Sequence, residues 1–219
     1  SIIPDPSTQN LMYQNGELDI IDLEALDSSI VEATYKAQYA DKLVVSSRVG
    51  LTYFALNGNN QYLSDVNVRK ALQMAVDADT IVSSIYAGNA IIPKGVRGFN
   101  KDLTRSAYDP EGAKALLADA GYADGEISFE LSMDSSASSN LQLVYQVVQQ
   151  NLQAIGINAG IKSYDESSWL DLRKSGEMDS FIATWTMDYN DPANIMYTFF
   201  GSAAKTRIRS LNYSDTEVM

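Results

Sequence analysis

The feature that most constrains the fold is an alternation of strand-like and helix-like segments in the second half of the chain. Three short runs have the apolar character or the period of two that is typical of strands: "ISFELSM" (127–133), "INAGIKSY" (157–164) and "DSFIATW" (179–185). The segments between them, residues 138–156 and 167–176, predict a long and a short helix. This β-α-β-α-β order predicts an α/β layer with at least one parallel strand pair joined by a right-handed crossover.

The sharpest helix boundaries lie in "YDPEGAKALLADAGY" (108–122). Asp109 is predicted to be the N-cap, Pro110 the first helical residue and Gly121 the residue that ends the helix. The same pattern of Asp-Pro followed by a later glycine predicts a helix in "DPSTQNLMYQNG" (5–16).

The remaining segments give weaker predictions. These are a strand over 17–23, a helix over 28–40, two strands over 41–57 broken at Gly50, a helix over 63–88 capped by Ser64 or Asp65 and ended by Gly88, a loop over 89–107, and a helix that starts at Ser214 or Asp215. No repeat or Gly/Ser/Pro-rich linker divides the chain, so residues 1–219 are predicted to form a single α/β domain. The interrupted last helix favours a fragment of a longer protein.

The charge and composition exclude several classes of function. Sixteen basic against 28 acidic residues give a net charge of -12, which argues against a nucleic-acid or anionic-membrane partner. The chain has no cysteine and no histidine, so disulfides, thiolate catalysis, cysteine-ligated zinc and His-based acid/base chemistry are excluded. No metal and no cofactor are expected. No apolar run approaches ~18 residues, and the first residues have no signal-peptide pattern.

The candidate site is the stretch "WTMDYNDP" (185–192), which directly follows the last predicted strand. Ligands of open α/β sheets bind at the carboxyl ends of strands, so a tryptophan and an acid at this place indicate a binding edge. The alternative is that Asp188 and Asp191 only shape a turn. Asp191, directly before Pro192, is predicted to cap the helix that follows.

Several segments in order resemble one protein family. They are "NGELDI", "YFALN", "LSDVNVRKALQMAVDADTIV", "YDPEGAKALLADAGY", "QNLQAIGINAGI" and "WTMDYNDPANIM". Together they are similar to the solute-binding proteins of peptide-type (oligopeptide and dipeptide) ABC importers. The resemblance implies a type II periplasmic-binding-protein-like lobe, with a mixed sheet flanked by helices. The chain would then be most of the second, C-terminal lobe of a larger two-lobe protein.

The resemblance also implies a function and a set of ligand contacts. An extracytoplasmic protein, periplasmic or lipid-anchored at the cell surface through a segment outside this chain, would capture a peptide and deliver it to a membrane permease. In the motif W-x-x-D-x-x-x-P, Asp188 would take the peptide's α-ammonium group, whose pKa is near ~8. Trp185 would supply an apolar wall, and the main chain of Thr184, Thr186 and Met187 would pair with the peptide.

Two further residues are candidate ligand contacts. Arg173 matches a position where some oligopeptide-binding members place an arginine near the ligand; the alternative is a solvated cation at a helix end. Ser135, in the loop 133–139 after a strand, could bond a ligand, although capping of the next helix explains the serines there equally well. Trp169 is predicted to belong to the core.

Other classes of function are less well supported by the residues. Asp188 and Asp191 lie three residues apart in one turn, whereas glycosidase carboxylates come from separate elements ~5–9.5 Å apart. The chain also lacks the common nucleotide-binding and nucleophile motifs, so it is not predicted to be an enzyme such as a hydrolase. The same scaffold could bind a non-peptide solute such as an oligosaccharide. An isolated lobe could also self-associate through apolar cleft surface.

Overall fold

A computed structural model describes residues 2–23, 26–44, 49–84, 95–102 and 106–214. Contacts between residues divide the chain into two compact units, 1–47 and 48–219, and each is described by itself. The assignment of the whole chain to one domain, and to one lobe of a two-lobe protein, stays a prediction.

The first unit is helical where it is described. Helix α1 (Pro6–Gln14) begins as predicted, because Asp5 accepts a hydrogen bond from the main-chain nitrogen of Thr8 at 2.7 Å. Helix α2 (Ser28–Ile30) continues directly into a π-helical stretch (Val31–Lys36), so the helix predicted over 28–40 is confirmed in type.

The strand predicted over residues 17–23 is wrong. These residues form no strand, and the side chain of Ile20 is almost fully exposed. An apolar run becomes a strand only when a neighbouring strand supplies its hydrogen bonds, and this unit contains no strand in its described part. Its core is aromatic instead: Tyr35 is buried and donates a hydrogen bond to Asn10 Oδ1 at 2.8 Å.

The second unit is a mixed sheet flanked by helices. Its strands are β1 (Gly50–Leu56), β2 (Ser128–Asp134), β3 (Asn158–Tyr164) and β4 (Ser180–Thr186). Its helices are α3 (Val66–Ala75), α4 (Ala78–Ser84), α5 (Pro110–Asp119), α6 (Ser139–Ala154), α7 (Glu166–Ser175), α8 (Ala193–Phe200) and α9 (Ala203–Arg207). The strand order is β1-β4-β2-β3, with β1 antiparallel to β4 and with β2 parallel to both β3 and β4. The predicted α/β layer with parallel pairs is therefore confirmed.

The helix predicted over 63–88 is two helices in the structure. Asp65 caps α3 through the main-chain nitrogen of Asn67, and α3 ends at Ala75. Asp77 then accepts from the main-chain nitrogen of Thr80 at 3.0 Å and starts α4. The break arises because the aspartate competes for a main-chain donor of the following turn.

Some predictions lie outside the described residues, wholly or in part. They are the end of a helix at Gly88, most of the loop over 89–107, the first of the two strands over 41–57, and the helix starting at Ser214 or Asp215. The second strand of that pair is β1, which begins at Gly50. Within the described ranges, no helix combines the length and the apolar character needed to cross a membrane.

One face of the sheet is closed by α3, α5 and α6. Leu131 of β2 lies at 0% exposure in its centre, and Ile182 of β4 faces the same side. Side chains alternate along a strand, so the neighbours of Ile182 in β4 face the opposite side. That second face carries a smaller cluster built on Phe181 and on Trp169 of α7. Trp169 is 7% exposed, which confirms its predicted place in the core.

Strands β2 and β4 pair only at Leu131 and Ser180, although both strands are fully described. Beyond this pair the hydroxyl of Tyr145, from α6, fills the gap. It donates towards the carbonyl oxygens of Ser132 and Ile182 and accepts from the main-chain nitrogen of Ile182, all at 2.8–2.9 Å. Burial raises the pKa of this phenol, which keeps it a donor. Strands β2 and β4 are thus connected as far as Tyr145, and beyond it they continue without hydrogen bonds to each other.

Candidate ligand-binding site

The carboxyl end of β4 carries most of the candidate residues on alternating faces. Thr184 and Thr186 are exposed, whereas Trp185 between them is partly covered. The hydroxyls of Thr184 and Thr52 of β1 lie 2.9 Å apart across the sheet. Asp188, two residues after the strand, is exposed. The structure therefore brings Thr184, Trp185, Thr186 and Asp188 to one edge.

Asn194 connects Trp185 to Asp188. The indole Nε1–H of Trp185 donates to Asn194 Oδ1 at 2.8 Å, and Asn194 Nδ2 donates to Asp188 Oδ2 at 3.3 Å. Asn194 itself is 2% exposed in the first turn of α8. A buried amide with both ends bonded has one orientation available, so it fixes the indole ring and one carboxylate oxygen together. The other oxygen, Asp188 Oδ1, has no partner among the described residues.

The main chain of β4 has an unpaired side at this edge. In an antiparallel pair, alternate residues turn both their N–H and C=O groups towards the partner strand. Met187 N donates to Val49 O at 2.8 Å, so Met187, Trp185 and Ala183 face β1. Thr184 and Thr186 then point their main-chain groups towards β2, and no partner in the described residues meets them.

The second half of the turn has a different construction. Asp191 Oδ1 accepts from the main-chain nitrogen of Ala193 at 2.8 Å, and its carbonyl oxygen accepts from that of Asn194 at 3.0 Å. Pro192, with φ -58°, is the residue directly before α8. The carboxylate of Asp191 is therefore engaged by main chain, whereas that of Asp188 is held by one side chain.

The other predicted cap residues belong to α5. Asp109 Oδ1 accepts from the main-chain nitrogen of Gly112 at 2.8 Å, and Pro110 is the first helical residue. Gly121 has a φ of +92°, which only glycine adopts without strain.

Ser135 lies at the same edge, because β2, β3 and β4 run parallel and their carboxyl ends lie on the same side of the sheet. Its main-chain nitrogen donates to the carbonyl oxygen of Tyr164, at the end of β3, at 2.7 Å. Its side chain is exposed and its hydroxyl bonds nothing in the described residues. The capping of α6 is performed by Ser138, which accepts from the main-chain nitrogen of Leu141 at 3.3 Å.

Arg173 lies in the last turn of α7, with its guanidinium carbon 4.9 Å from the ring centre of Trp169. A second arginine, which the sequence did not single out, lies next to the candidate site. Arg209 stacks over Trp185 at 4.4 Å and over Phe199 at 4.7 Å. Asn194 was missed as well. No sequence motif marks either residue, because both owe their position to packing against the indole of Trp185.

A separate polar cluster lies on β2 and β3. Glu130 accepts hydrogen bonds from Tyr164 and Ser132 at 2.6 and 2.7 Å, and Lys162 lies 3.3 Å away. Burial by itself raises the pKa of Glu130, but these three donors outweigh it and hold the pKa below its usual value. Groups of three or more acidic side chains suited to a metal ion are absent from the described ranges.

Comparison with known proteins identifies the class. Residues 1–207 match the family model described as bacterial extracellular solute-binding proteins, family 5 middle. The chain belongs to this family, whose members are binding proteins and whose solved relatives share the type II periplasmic binding fold.

Individual relatives bind different solutes. The chain is 30% identical over 222 residues to a dipeptide-binding protein of Escherichia coli K12, covering 98% of this chain and 40% of that protein. It is 29% identical over 211 residues to heme-binding protein A of Haemophilus influenzae, covering 93% and 38%. Among solved structures, the periplasmic binding protein DppA from Helicobacter pylori, in complex with the peptide STSA, superposes with a TM-score of 0.74 at 27% identity, over 89% of this chain and 38% of that one. The chain thus spans about 40% of the length of these relatives.

Proposed function

We propose that this chain forms one wall of the peptide site of an extracytoplasmic solute-binding protein that serves an ABC permease. It would be most of the C-terminal lobe of a two-lobe protein held in the periplasm or anchored to the cell surface. The observation that carries the proposal is the state of Asp188. Its carboxylate is exposed at the end of β4, is oriented by Asn194 on one oxygen and has no cationic partner among the described residues.

An α-ammonium group is a suitable partner for this carboxylate. It is mostly protonated at neutral pH, because its pKa is near ~8. It has three N–H donors, one of which would reach the unbonded Asp188 oxygen in a charge-assisted hydrogen bond. A peptide, unlike a free amine, also carries main-chain groups that suit an unpaired strand edge.

The unpaired main chain of β4 supports a peptide over other cations. Thr184 and Thr186 present N–H and C=O groups that a peptide in extended conformation would pair with, as in strand addition. Such bonds recognise the peptide main chain and leave side-chain preference to other surfaces. Ser135, at the adjoining strand end, would offer a further hydroxyl, and Trp185 an apolar wall.

The test is calorimetry on the complete two-lobe protein with Ala-Ala-Ala and its N-acetylated form. We expect acetylation to weaken binding about 10- to 100-fold, since a hydrogen bond between charged groups contributes roughly 1.5–3 kcal/mol. Asp188→Asn should reduce affinity for the free peptide and remove the difference between the two peptides. Asp191→Asn, whose carboxylate bonds main chain, is the matched control and should keep the difference. Equal affinity for both peptides in the unmodified protein would refute the role of Asp188.

A non-peptide solute is the second candidate. It is favoured by the relative named heme-binding protein A and by the exposed aromatic side chain of Tyr189, in the turn that follows β4. Calorimetry with haem and with an oligosaccharide distinguishes the two candidates. Affinity for either that survives Asp188→Asn, together with no response to peptides, would replace the peptide proposal.

A further inference from the structure

Two arginines on the second face of the sheet have no anionic partner. The Nε atoms of Arg173 and Arg209 are buried and make no hydrogen bond to any described residue. Neither guanidinium forms an ion pair with any carboxylate in the described part of the chain. Removing a cation from water without pairing it is unfavourable, and so is burying an N–H donor without an acceptor. In a chain with 28 acidic residues, this lack of partners is notable.

Both guanidinium groups rest on one continuous aromatic wall. Arg173 lies over Trp169, and Arg209 lies over Trp185 and Phe199, at 4.4–4.9 Å from the ring centres. Two further rings join these platforms. Phe181 lies 5.4 Å from Trp169 and 6.0 Å from Tyr53, and Tyr53 lies 5.2 Å from Phe199. The stacking orients each planar guanidinium without using its N–H donors.

A hydrogen bond from the neighbour of one arginine to the main chain of the other holds the two backbones close together. Ser210, next to Arg209, donates its hydroxyl to the carbonyl oxygen of Arg173 at 2.9 Å. Burial lowers the pKa of Arg209, and the charge of Arg173 lowers it further. Burial raises the pKa of Tyr53, and both guanidinium groups oppose that rise. Two cations thus lie close to one phenol and to each other, and a bound anion would relieve their repulsion.

We propose that Arg173, Arg209 and the hydroxyl of Tyr53 form a binding site for a carboxylate. A guanidinium presents parallel N–H donors that match the two oxygens of a carboxylate. The hydroxyl of Tyr53 has no hydrogen bond among the described residues and supplies a further donor. The net charge of -12 disfavours a multiply charged anion and favours a group with a single charge. Both arginines are partly exposed, so an incoming group can reach their outer nitrogens.

The carboxylate can come from two sources. One is a bound peptide. Arg209 stacks on the ring face of Trp185, and Asn194 links the Nε1 edge of the same ring to Asp188. A zwitterionic peptide would therefore meet an acidic and a basic side chain on either side of one indole. This source rests on the function proposed above. The other is a carboxylate from the rest of the two-lobe protein proposed above. The site as such does not depend on which source fills it.

The first experiment tests the site with acetate on the 219-residue chain. Acetate is titrated against ¹⁵N-labelled protein, and the Arg Nε–H and Trp Nε1–H signals are followed by NMR at constant ionic strength set with chloride. We expect saturable shifts of the Arg173, Arg209 and Trp185 signals, with a dissociation constant on the order of 10 mM for a single small carboxylate. Shifts that grow linearly without saturation, or equal shifts with chloride alone, would refute the proposal.

Two variants and a control sharpen that titration. Arg209→Gln and Arg173→Gln should each weaken acetate binding at least tenfold, because the remaining guanidinium binds alone. Arg69→Gln is the matched control, since Arg69 belongs to α3, which covers the other face of the sheet, and donates to the carbonyl oxygens of Leu63 and Ser64. It should leave the titration unchanged. Acetate binding that is indifferent to both site variants would assign the anion elsewhere and overturn the proposal.

The second experiment identifies the source in the complete two-lobe protein. If the peptide supplies the carboxylate, Ala-Ala-Ala binds about tenfold more tightly than its C-terminal amide, and Arg209→Gln removes the difference. If the rest of the protein supplies the carboxylate, Ala-Ala-Ala and its C-terminal amide bind equally tightly, and acetate no longer shifts the NMR signals of the two arginines. If no peptide binds at all, the peptide function fails, while the acetate titration of the 219-residue chain still decides the site.

Discussion

On one face of the sheet, α3, α5 and α6 cover the strands with apolar side chains and a buried tyrosine whose hydroxyl is fully bonded. On the other face, two arginines lie on aromatic rings, and their buried Nε–H groups have no acceptor in the part of the chain that the structure describes. The strands are the same, since alternate residues of β1 and β4 contribute to each face. The difference indicates that the apolar core on the first face stabilises the fold, whereas the second face keeps arginine N–H donors available for a ligand. Buried polar groups normally have a hydrogen-bond partner, and exceptions are expected at functional sites.

The largest loss of stability should come from removing a side chain from the apolar core on the first face. Leu131→Ala removes a fully buried side chain at the centre of the sheet and should lower the free energy of unfolding by about 3 kcal/mol. Leu143→Ala, at a half-exposed leucine of α6, is the control and should change it by less than about 0.5 kcal/mol. Urea unfolding measures both. Similar losses would mean that this face is not the main source of stability.

Removing one hydroxyl of the first face should be the next largest effect. Tyr145→Phe leaves the main-chain N–H and C=O of Ile182 without a partner and should cost about 2 kcal/mol. Tyr197→Phe, at an exposed tyrosine, should cost almost nothing. The comparison can be made by thermal and urea unfolding. A neutral Tyr145→Phe would mean that β2 and β4 are held together without the hydroxyl bridge.

Glu130 offers a comparison with a charged side chain that does have partners, namely Tyr164, Ser132 and Lys162. Because its pKa is lowered in the folded state, it contributes stability above the pKa of the unfolded chain and loses it as the pH falls through the folded pKa. Glu130→Gln should therefore lower the free energy of unfolding by about 1 kcal/mol at pH 7, and by progressively less as the pH falls through the lowered pKa of Glu130 in the folded state. Glu111→Gln, at a carboxylate that is largely exposed, is the control. A deficit in Glu130→Gln that persists at low pH would contradict the assignment.

Arg209→Gln should have the smallest effect on stability, within about 0.5 kcal/mol. The loss of stacking on Trp185 and Phe199 is offset by removal of an unpaired, partly buried cation. Unfolding in urea at pH 7 tests this alongside Lys205→Gln, which removes another cation stacked on an aromatic ring, that of Tyr197. A loss of several kcal/mol in Arg209→Gln alone would make the arginine part of the fold and would remove the contrast between the faces.

The elements that the sequence predicted well have local causes. Asp5 and Asp109 cap helices through donors three residues away, so the pattern is visible in a short window. The strand over 17–23 failed because a strand depends on a partner that the local sequence does not contain. The break at Asp77 was missed because one aspartate within a periodic run can either face solvent or cap a new turn.

The candidate site was predictable in part for the same reason. The position of Asp188 after a buried strand follows from the order of elements, and its proposed role follows from the family resemblance. Asn194 and Arg209 were not predictable, because each is defined by a contact with the indole of Trp185 across 9 and 24 residues of chain. Such contacts form only after α8 and α9 have packed on the sheet.

The placement of the two tryptophans has an optical consequence. Both indoles, Trp169 and Trp185, lie beneath an arginine, and Trp185 also donates to the amide that holds Asp188. Their emission depends on the charge above the ring and on the hydrogen bond at Nε1. The chain has no other tryptophan. Its tryptophan fluorescence is therefore confined to the face where the two arginines lie, and emission excited at wavelengths that the 13 tyrosines do not absorb would report events at that face alone.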